Sequence, residues 1–208
     1  MNKQVVITRM LYAENDPKFQ ERLAIYRALC LPRLRNQSVK DFDIAVLCNR
    51  KHAKIFKRLG VIPFFLKKEW FGKVGETGKW SAVAKWEDIE GIKKYDIQTN
   101  LDSDDLVSDK YVSAIQKRVG GKKSLHIHFQ PRLFNFHTLE EKEMKTKYGK
   151  DRGSAFYSLY QPNKENYIYI GQGSHINMWK YASRSILLRE GYCWVGIHGN
   201  NDSTTMNH

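Results

Sequence analysis

The feature that most constrains the fold is an alternation of short apolar runs with helix-patterned segments through the first 120 residues. Four runs are apolar and rich in β-forming residues: 4–8, 41–48, 61–66 and 96–102. Four segments place apolar residues at helical spacing: 16–37, 50–60, 80–95 and 108–119. This β-α alternation predicts an α/β fold, with a mostly parallel central sheet flanked by helices.

Single residues mark the expected ends of these elements. Asp16 and Pro17 are expected to cap and begin the first helix, and Pro32 to bend or end it. Gly60 is expected to stop the second helix, because glycine is the usual residue just beyond a helix end. Ser108 is expected to cap the fourth helix, because a serine oxygen accepts from the first free backbone N–H groups.

The sequence changes character after residue 120. Residues 124–136 are strand-like, 141–153 are densely charged, and 166–179 are typical of a strand, a glycine turn and the start of a helix. In the first half, residues 67–79 carry three glycines and indicate a loop. We therefore expect one domain, made of an α/β half joined to a mixed half.

Charge indicates an anionic partner, since Lys and Arg outnumber Asp and Glu by 35 to 22, for a net charge of +13. Nucleic acid, nucleotide phosphates and an acidic membrane surface all satisfy this requirement. Cys30, Cys48 and Cys193 lie far apart and form no CxxC pair, which predicts reduced thiols in place of disulfides or a zinc site. With no apolar signal segment or membrane-spanning run, we expect a cytoplasmic monomer with at most peripheral contact with an acidic membrane.

The run "LDSDDLV" concentrates negative charge at Asp102, Asp104 and Asp105, directly after the fourth predicted strand. Ligands of open α/β sheets bind beyond the carboxyl ends of the strands. Carboxylates placed there suit Mg²⁺ or Mn²⁺, which prefer oxygen ligands and are often shared with substrate phosphates. The alternative is helix capping, because aspartate is also favoured near helix starts.

An EF-hand is excluded by the spacing of the same run. That loop would need an oxygen ligand at position 106, glycine at 107 and glutamate at 113. The chain has Leu106, Val107 and Ser113 at these positions.

Several motifs resemble those of GT-A glycosyltransferases, and in particular a group of rhamnosyltransferases. "LDSDDLVSDKYV" resembles the metal-binding DxD region, and "VVITRM" the first strand with its nucleotide-facing turn. "LCLPRLRNQSVKDFDIAVLCN" resembles a segment of the rhamnosyltransferase group, with Arg33 where that group has Ser. "WVGIHGNN" resembles its closing signature. The resemblance covers most of the chain and is weakest over 136–165.

The resemblance implies a single GT-A-like domain, 1–208, that transfers a sugar, with rhamnose suggested by the group, from a nucleoside-diphosphate sugar to a carbohydrate or other hydroxyl acceptor. Residues 1–120 would bind the nucleotide-sugar donor, and residues 121–208 would form the acceptor side and supply the closing histidine segment. A divalent cation, Mn²⁺ or Mg²⁺, would stabilise the charge that develops on the departing diphosphate.

The resemblance also implies roles for individual residues. Asp102 would lie near the ribose, and Thr8 and Arg9 near the base or ribose, with Asn49 bordering the same pocket. The residues implied as metal ligands are Asp104, Asp105 and His198.

Within the fold and reaction that the resemblance implies, residue chemistry suggests further candidates. Lys73 and Lys79 in the glycine-rich loop are placed to add positive charge near a diphosphate, although lysines of this kind are commonly solvated. His175 follows a glycine turn and is a candidate active-site group or a structural histidine. Asp151 is a candidate catalytic base on the acceptor side, alongside Glu165, and nothing in the sequence separates the two.

His126 and His128 alternate on one predicted strand and therefore face the same side. Such a pair can bind a metal, but no third ligand is spaced nearby.

Two other functions remain as alternatives. A nucleic-acid-binding protein or a metal-dependent nuclease would fit the charge, but the basic residues are scattered and form no known binding motif. A nucleotidyltransferase would commonly carry a glycine-rich loop after the first strand, and "ITRMLYAEND" has no glycine.

Overall fold

The computed structural model describes residues 2–12, 16–65, 89, 91–143, 156–163, 167, 175–189 and 192–197. Within them, the strands in chain order are β1 (Gln4–Met10), β2 (Asp43–Cys48), β3 (Ile62–Phe64), β4 (Ile97–Leu101), β5 (Leu106–Val107), β6 (Leu125–Phe129), β7 (Arg132–Asn135), β8 (Glu141–Glu143), β9 (Tyr157–Tyr160), β10 (Arg184–Leu188) and β11 (Cys193–Ile197). They form a seven-stranded sheet, β10-β6-β9-β4-β1-β2-β3, and a four-stranded sheet, β5-β11-β7-β8.

The first four predicted strands form one parallel block of the large sheet. β1 pairs in parallel with β2 on one side and with β4 on the other, and β2 pairs in parallel with β3. The predicted parallel α/β architecture is thus present. β9, which the sequence pattern did not identify, lies antiparallel between β4 and β6.

The two faces of this sheet carry separate apolar clusters. Val6 and Met10 of β1 belong to one cluster, and Val5 and Ile7 to the other, as expected from the alternation of side chains along a strand. Val5, Val6, Ile7 and Met10 are all at most 1% exposed, so β1 is a central strand buried on both faces.

The first helix begins as predicted and does not end at Pro32. α1 (Pro17–Ile25) starts after Asp16, whose side chain accepts a hydrogen bond from the Lys18 N–H at 2.9 Å. A π-helical segment, Tyr26–Cys30, then leads into α2 (Leu31–Arg35). Proline has no N–H to donate to the preceding turn, and the wider π turn before it accommodates that loss.

The second predicted helix is short and ends where expected. A 3₁₀ turn, Arg50–His52, continues into α3 (Ala53–Arg58), and Gly60 takes a φ of +64° just beyond it. Phe56 of α3 is fully buried and meets Phe19 of α1 edge to face. These contacts fix α1 and α3 side by side on one face of the sheet.

The predicted helix over 80–95 is wrong at its carboxyl end. Gly91 has a φ of +80°, and Ile92–Lys94 form a single 3₁₀ turn before the extended Tyr95. Residues 80–88, like the loop predicted over 67–79, lie outside the described residues.

The fourth helix, α4 (Tyr111–Gln116), is shorter than predicted and is not capped by Ser108. Instead, Gln37 accepts a hydrogen bond from the Val112 N–H at 2.9 Å and donates to the Ser108 carbonyl at 2.6 Å. The cap therefore comes from a residue 75 positions away in sequence, which a search of flanking residues does not reveal.

The strand predicted over 124–136 is two strands in different sheets. β6 ends at Phe129, and β7 begins at Arg132 in the four-stranded sheet. Proline 131 lies between them and lacks the N–H that an uninterrupted ladder would use. Farther on, the described part of 166–179 ends in a 3₁₀ helix, His175–Tyr181.

None of the helices in the described ranges combines the length and apolar character needed to cross a membrane.

Candidate active site

The candidate site lies where the parallel block changes direction. The chain passes from β1 to β2 and β3 on one side and then returns to β4 on the other. The carboxyl ends of β1 and β4 are adjacent, with Thr8 opposite Leu101 in register. Such a switch point leaves a crevice at the carboxyl edge, which is where open α/β sheets bind ligands. Residues 102–105, here called the acidic loop, follow β4 directly at this edge.

Asp102 lies at the open side of the acidic loop. Its carboxylate accepts a hydrogen bond from the Arg9 guanidinium at 3.4 Å, and the Arg9 and Asp102 side chains are 45% and 36% exposed. The resemblance implies that both residues lie near the nucleotide, and the structure brings their side chains into contact. Because both remain accessible, they can meet a ligand at the edge of the sheet.

Asp104 faces inward and forms an ion pair with Arg22 of α1. The two side chains are only 14% and 6% exposed. Arg22 lies on the buried face of α1 with Phe19 and Leu23. A buried guanidinium needs an opposite charge, and Asp104 supplies it.

Asp105 is 4% exposed and lies against β11. Its carboxylate accepts a hydrogen bond from the Gly196 N–H at 3.4 Å. Burial, followed by the charges of Asp102 and Asp104, holds the pKa of the Asp105 carboxyl well above its usual range, although Gly196 and Arg22 act in the opposite direction. Burial among these carboxylates therefore favours the neutral, protonated form of Asp105.

β11 lies against this loop. It pairs antiparallel with β5, with Cys193 opposite Val107 and Trp194 opposite Leu106. Gly196 then passes the acidic loop so closely that an added Cβ would come within 2.3 Å of the Asp104 carbonyl oxygen. Position 196, within "WVGIHGNN", therefore requires glycine, because a side chain there would clash with the acidic loop.

Thr8 and Asn49 lie at the same edge in different environments. Thr8 is fully buried in the sheet face opposite Arg9. Asn49 follows β2, is partly exposed, and accepts a hydrogen bond from the Lys51 N–H at 3.0 Å. The side chain of Asn49 thus caps the 3₁₀ turn that follows β2.

Other predicted site residues lie outside the described residues: Lys73, Lys79, Asp151, Glu165 and His198. His175 begins a described 3₁₀ helix, but its side chain is not among the described parts. Within the described ranges, no three His, Cys, Asp or Glu residues form a group that could hold a metal ion by themselves.

His126 and His128 face the same side of β6, as predicted. Their ring centroids are 5.1 Å apart, and Ser185 Oγ lies 2.9 Å from His126 Nδ1 and 3.5 Å from His128 Nδ1. Burial, with a smaller effect of His128, lowers the pKa of His126 to about 3. This pair is a buried polar network, and in the described part of the chain it has no third metal ligand.

Arg22, Cys30 and Gly196 were not singled out from the sequence as site residues. Cys30 places its thiol 3.9 Å from the Asp102 carbonyl oxygen, beneath the acidic loop. A usable signal existed for Gly196, which falls within "WVGIHGNN". Arg22 had only a weak signal, as an arginine on the apolar side of an amphipathic helix.

Solved structures share this fold. The structure of S. aureus TarS 1–349 in complex with UDP-GlcNAc matches with a TM-score of 0.55 at 13% identity, over 97% of this chain and 60% of that one. The same fragment in complex with UDP matches with a TM-score of 0.54 at 14% identity, over 95% of this chain and 61% of that one. A longer TarS structure matches with a TM-score of 0.53 at 13% identity, over 95% of this chain and 37% of that one. The chain therefore spans less than two thirds of TarS, and the likeness shows a common fold.

No curated protein sequence matches the chain. A family described as "Putative rhamnosyl transferase" matches residues 6–208, which includes β1, the acidic loop and β11. The GT-A-like architecture and the family resemblance expected from the sequence are both confirmed, and the chain belongs to this rhamnosyl transferase family.

Proposed function

We propose that this chain is a glycosyltransferase domain that moves a sugar from a nucleoside-diphosphate sugar to a hydroxyl group of an acceptor, with a carbohydrate as the favoured acceptor. The observation that carries the proposal is the acidic loop at the β1–β4 switch point, where Asp102 and Arg9 are accessible side by side. TarS, which shares the fold, has been solved with UDP-GlcNAc. Rhamnose as the transferred sugar rests on the family description alone.

The paired charges of Arg9 and Asp102 suit the two ends of a nucleotide. A carboxylate accepts hydrogen bonds from ribose hydroxyls, and a guanidinium binds phosphate through paired donors. In this proposal Thr8 lies near the base or ribose, and Asn49 borders the same pocket. Lys79 would add positive charge to the diphosphate.

The acidic loop has the chemistry to hold Mn²⁺ or Mg²⁺. Such ions are commonly bound by one or two carboxylates together with substrate phosphates, so a complete cage of protein ligands is not required. The accessible Asp102 carboxylate, with two further carboxyl groups in the same loop, fits this arrangement. The cation would act as a Lewis acid on the departing diphosphate. Asp104, Asp105 and His198 remain proposed ligands of this metal.

The acceptor side is assigned to residues 121–208. Asp151 is the proposed base that removes the acceptor proton, and His175 a proposed active-site partner near the sugar. We further propose a monomer in the cytoplasm, where Cys30, Cys48 and Cys193, all buried and unpaired, would remain reduced.

A thermal-shift screen tests the proposal, because a ligand that binds the native state raises its melting temperature. Nucleoside diphosphates with different bases, and UDP- and dTDP-sugars, are added with and without Mn²⁺. We expect a shift for one base that depends on metal and is lost in Asp102→Asn. A lack of response to every nucleotide, together with salt-sensitive retention of RNA or DNA, would favour the nucleic-acid alternative.

A further inference from the structure

The four-stranded sheet has an inner face that joins the core and an outer face that points away from it. Val107 of β5 and Cys193 of β11 lie opposite each other in register, and both belong to the apolar cluster that contains Val6. Leu106 and Trp194 are their neighbours along the two strands and are also opposite each other. Because side chains alternate along a strand, Leu106 and Trp194 lie on the outer face.

Two phenylalanines extend this outer face across β7. Phe134 is opposite Gly196 in register, and Gly196 is two residues after Trp194 on β11, so Phe134 lies on the same face. Phe136 reaches it from just beyond β7, because its Cε2 atom is only 2.6 Å from a Cβ built on Gly196. The Phe134 and Phe136 rings meet edge to face with centroids 5.3 Å apart. Leu106, Phe134, Phe136 and Trp194 are here called the aromatic platform.

The aromatic platform is an accessible surface beside the core. All four of its side chains are partly exposed, and within the described ranges they belong to neither apolar cluster of the large sheet. Its border is polar, since the exposed pair Arg132–Glu141, whose atoms are 2.9 Å apart, lies opposite Trp194 and Phe134 in register. Aromatic side chains with a few polar groups at their margin are typical of small-molecule binding sites.

The turn that carries Phe136 is fixed by hydrogen bonds. The Asn135 side chain accepts from the His137 N–H at 2.8 Å and from the Thr138 N–H at 3.2 Å. The Asn135 N–H donates to the Glu140 carbonyl at 3.0 Å. A surface held in place before binding loses less conformational entropy when a ligand arrives.

The aromatic platform borders the acidic loop. The Cβ direction of Gly196 meets the ring of Phe136 and the carbonyl oxygen of Asp104 together. The acceptor of a sugar transfer must bring a hydroxyl group to the donor bound at that loop. A pyranose ring has an apolar side of C–H groups, which packs on the negative face of an aromatic ring, and hydroxyl groups at its margin, which need polar partners.

We propose that the aromatic platform is the subsite for a carbohydrate acceptor. The C–H side of a pyranose ring packs on Phe136, the member nearest the acidic loop, and Phe134 and Trp194 support the rest of the acceptor. Arg132 and Glu141 offer hydrogen bonds to its hydroxyl groups. The inference rests on the proposed function and names residues for the acceptor, for which that function specifies only a region of the chain and a base.

Saturation-transfer NMR tests this subsite with methyl α-L-rhamnopyranoside, methyl β-D-glucopyranoside and methyl N-acetyl-β-D-glucosaminide, each with and without UDP and Mg²⁺. We expect at least one saccharide to bind, with the strongest transfer to the C–H protons on one side of its ring. Phe136→Ala should weaken that binding by at least about tenfold, because it removes a whole aromatic contact. Phe136→Tyr keeps the ring and should stay within about threefold of wild type.

Tyr181→Ala is the matched control. Tyr181 is an aromatic residue, 41% exposed, that precedes β10 at the opposite edge of the large sheet, and its removal should leave saccharide binding unchanged. Melting temperatures show whether each variant is folded. If Phe136→Ala does not fold, Phe134→Ala and Trp194→Leu test the same surface, and each should weaken saccharide binding by about fivefold or more.

Three results would overturn the inference. Wild type could bind none of the saccharides, or the folded platform variants could bind them as tightly as wild type. The third is loss of sedimentation with phosphatidylcholine vesicles in Phe136→Ala while saccharide binding is intact, which would assign the platform to a lipid surface.

The proposed function is tested separately, by calorimetric titration of wild type with UDP and Mn²⁺. If UDP binds and no saccharide does, only the acceptor subsite is wrong. If no nucleoside diphosphate binds but a saccharide binds in a way that depends on Phe136, the proposed function fails and the platform remains a carbohydrate site.

Discussion

Gly196 on β11 lies directly over the backbone of Asp104, so that a methyl group at position 196 would come within 2.3 Å of the Asp104 carbonyl oxygen. The N–H of the same glycine reaches the carboxylate of Asp105. β11 thus packs on the loop that follows β4. Any side chain at Gly196 must push apart the two segments that form the candidate site.

Gly196→Ala should therefore destabilise the protein by about 1–3 kcal/mol, the usual cost of overpacking. Urea denaturation measures this free energy of unfolding. Gly120→Ala is the matched control, because an added Cβ there meets nothing within 4 Å and should cost little. Equal stability of the two variants would show that β11 does not pack on the loop as described.

Gln37→Leu should cost about 1–3 kcal/mol, because it leaves the Val112 N–H and the Ser108 carbonyl without their side-chain partner in a buried position. The control is Gln116→Leu, which removes a single hydrogen bond to the Asp41 carbonyl in a more exposed position. Chemical denaturation of both variants separates the two effects. A smaller loss for Gln37→Leu than for Gln116→Leu would argue against the long-range cap of α4.

His126 should make the protein less stable in acid. In the unfolded chain the His126 imidazole has its ordinary pKa of 6.5 and binds a proton below that pH. In the folded protein its pKa is about 3. Between pH 3 and 6.5, unfolding is therefore accompanied by uptake of a proton at His126. The free energy of unfolding is not reduced by this effect above pH 6.5, and it falls by about 1.4 kcal/mol per pH unit as the pH decreases toward 3.

His126→Gln should remove this contribution, so the difference in unfolding free energy between wild type and variant should change by about 2–3 kcal/mol between pH 4.5 and 7. His137→Gln alters an exposed histidine and serves as the control. A pH-independent difference for His126→Gln would mean that His126 is not held neutral by burial.

Arg9→Gln should weaken UDP binding by about tenfold or more, since a hydrogen bond between charged groups contributes about 1.5–3 kcal/mol. Calorimetric titration with UDP and Mn²⁺ gives the dissociation constant. Arg184→Gln is the control, because Arg184 is exposed at the amino end of β10, opposite Leu125 in register and thus at the far edge of the sheet. Equal effects of both variants would indicate a general charge effect.

Five exposed basic residues lie in α2 and in the helical segment 50–58: Arg35, Lys51, Lys54, Lys57 and Arg58. Arg35 donates to the Leu59 carbonyl at 2.5 Å, which joins the end of α2 to the end of α3. We predict salt-sensitive binding to vesicles that contain phosphatidylserine, because each cation near such a surface contributes about 1 kcal/mol.

Reversing the charge of two of these residues, in Lys54→Glu/Lys57→Glu, should reduce vesicle binding by at least about tenfold in a sedimentation assay. The control, Lys122→Glu/Lys123→Glu, carries the same change in net charge just before β6. If both double variants lose binding equally, the net charge is responsible and not the position of these helical residues.

Predictions from the sequence succeeded where the signal is local. The strands β1, β2 and β4 appear as apolar runs because a strand buried on both faces must be apolar throughout. The capping by Asp16 was also predictable, since cap and partner are two residues apart. β9 had no comparable signal, because its place between β4 and β6 depends on pairing with strands far away in the chain.

The same division applies to the candidate site. The sequence by itself determined that three carboxylates would follow the fourth strand of an α/β sheet, because periodicity and order along the chain define that position. Only the tertiary structure decided what each carboxylate contacts: Arg9 for Asp102, Arg22 for Asp104 and the Gly196 N–H for Asp105. These partners lie 82 or more positions away, and contacts over such separations arise from packing and sheet pairing, which leave no local pattern in the sequence.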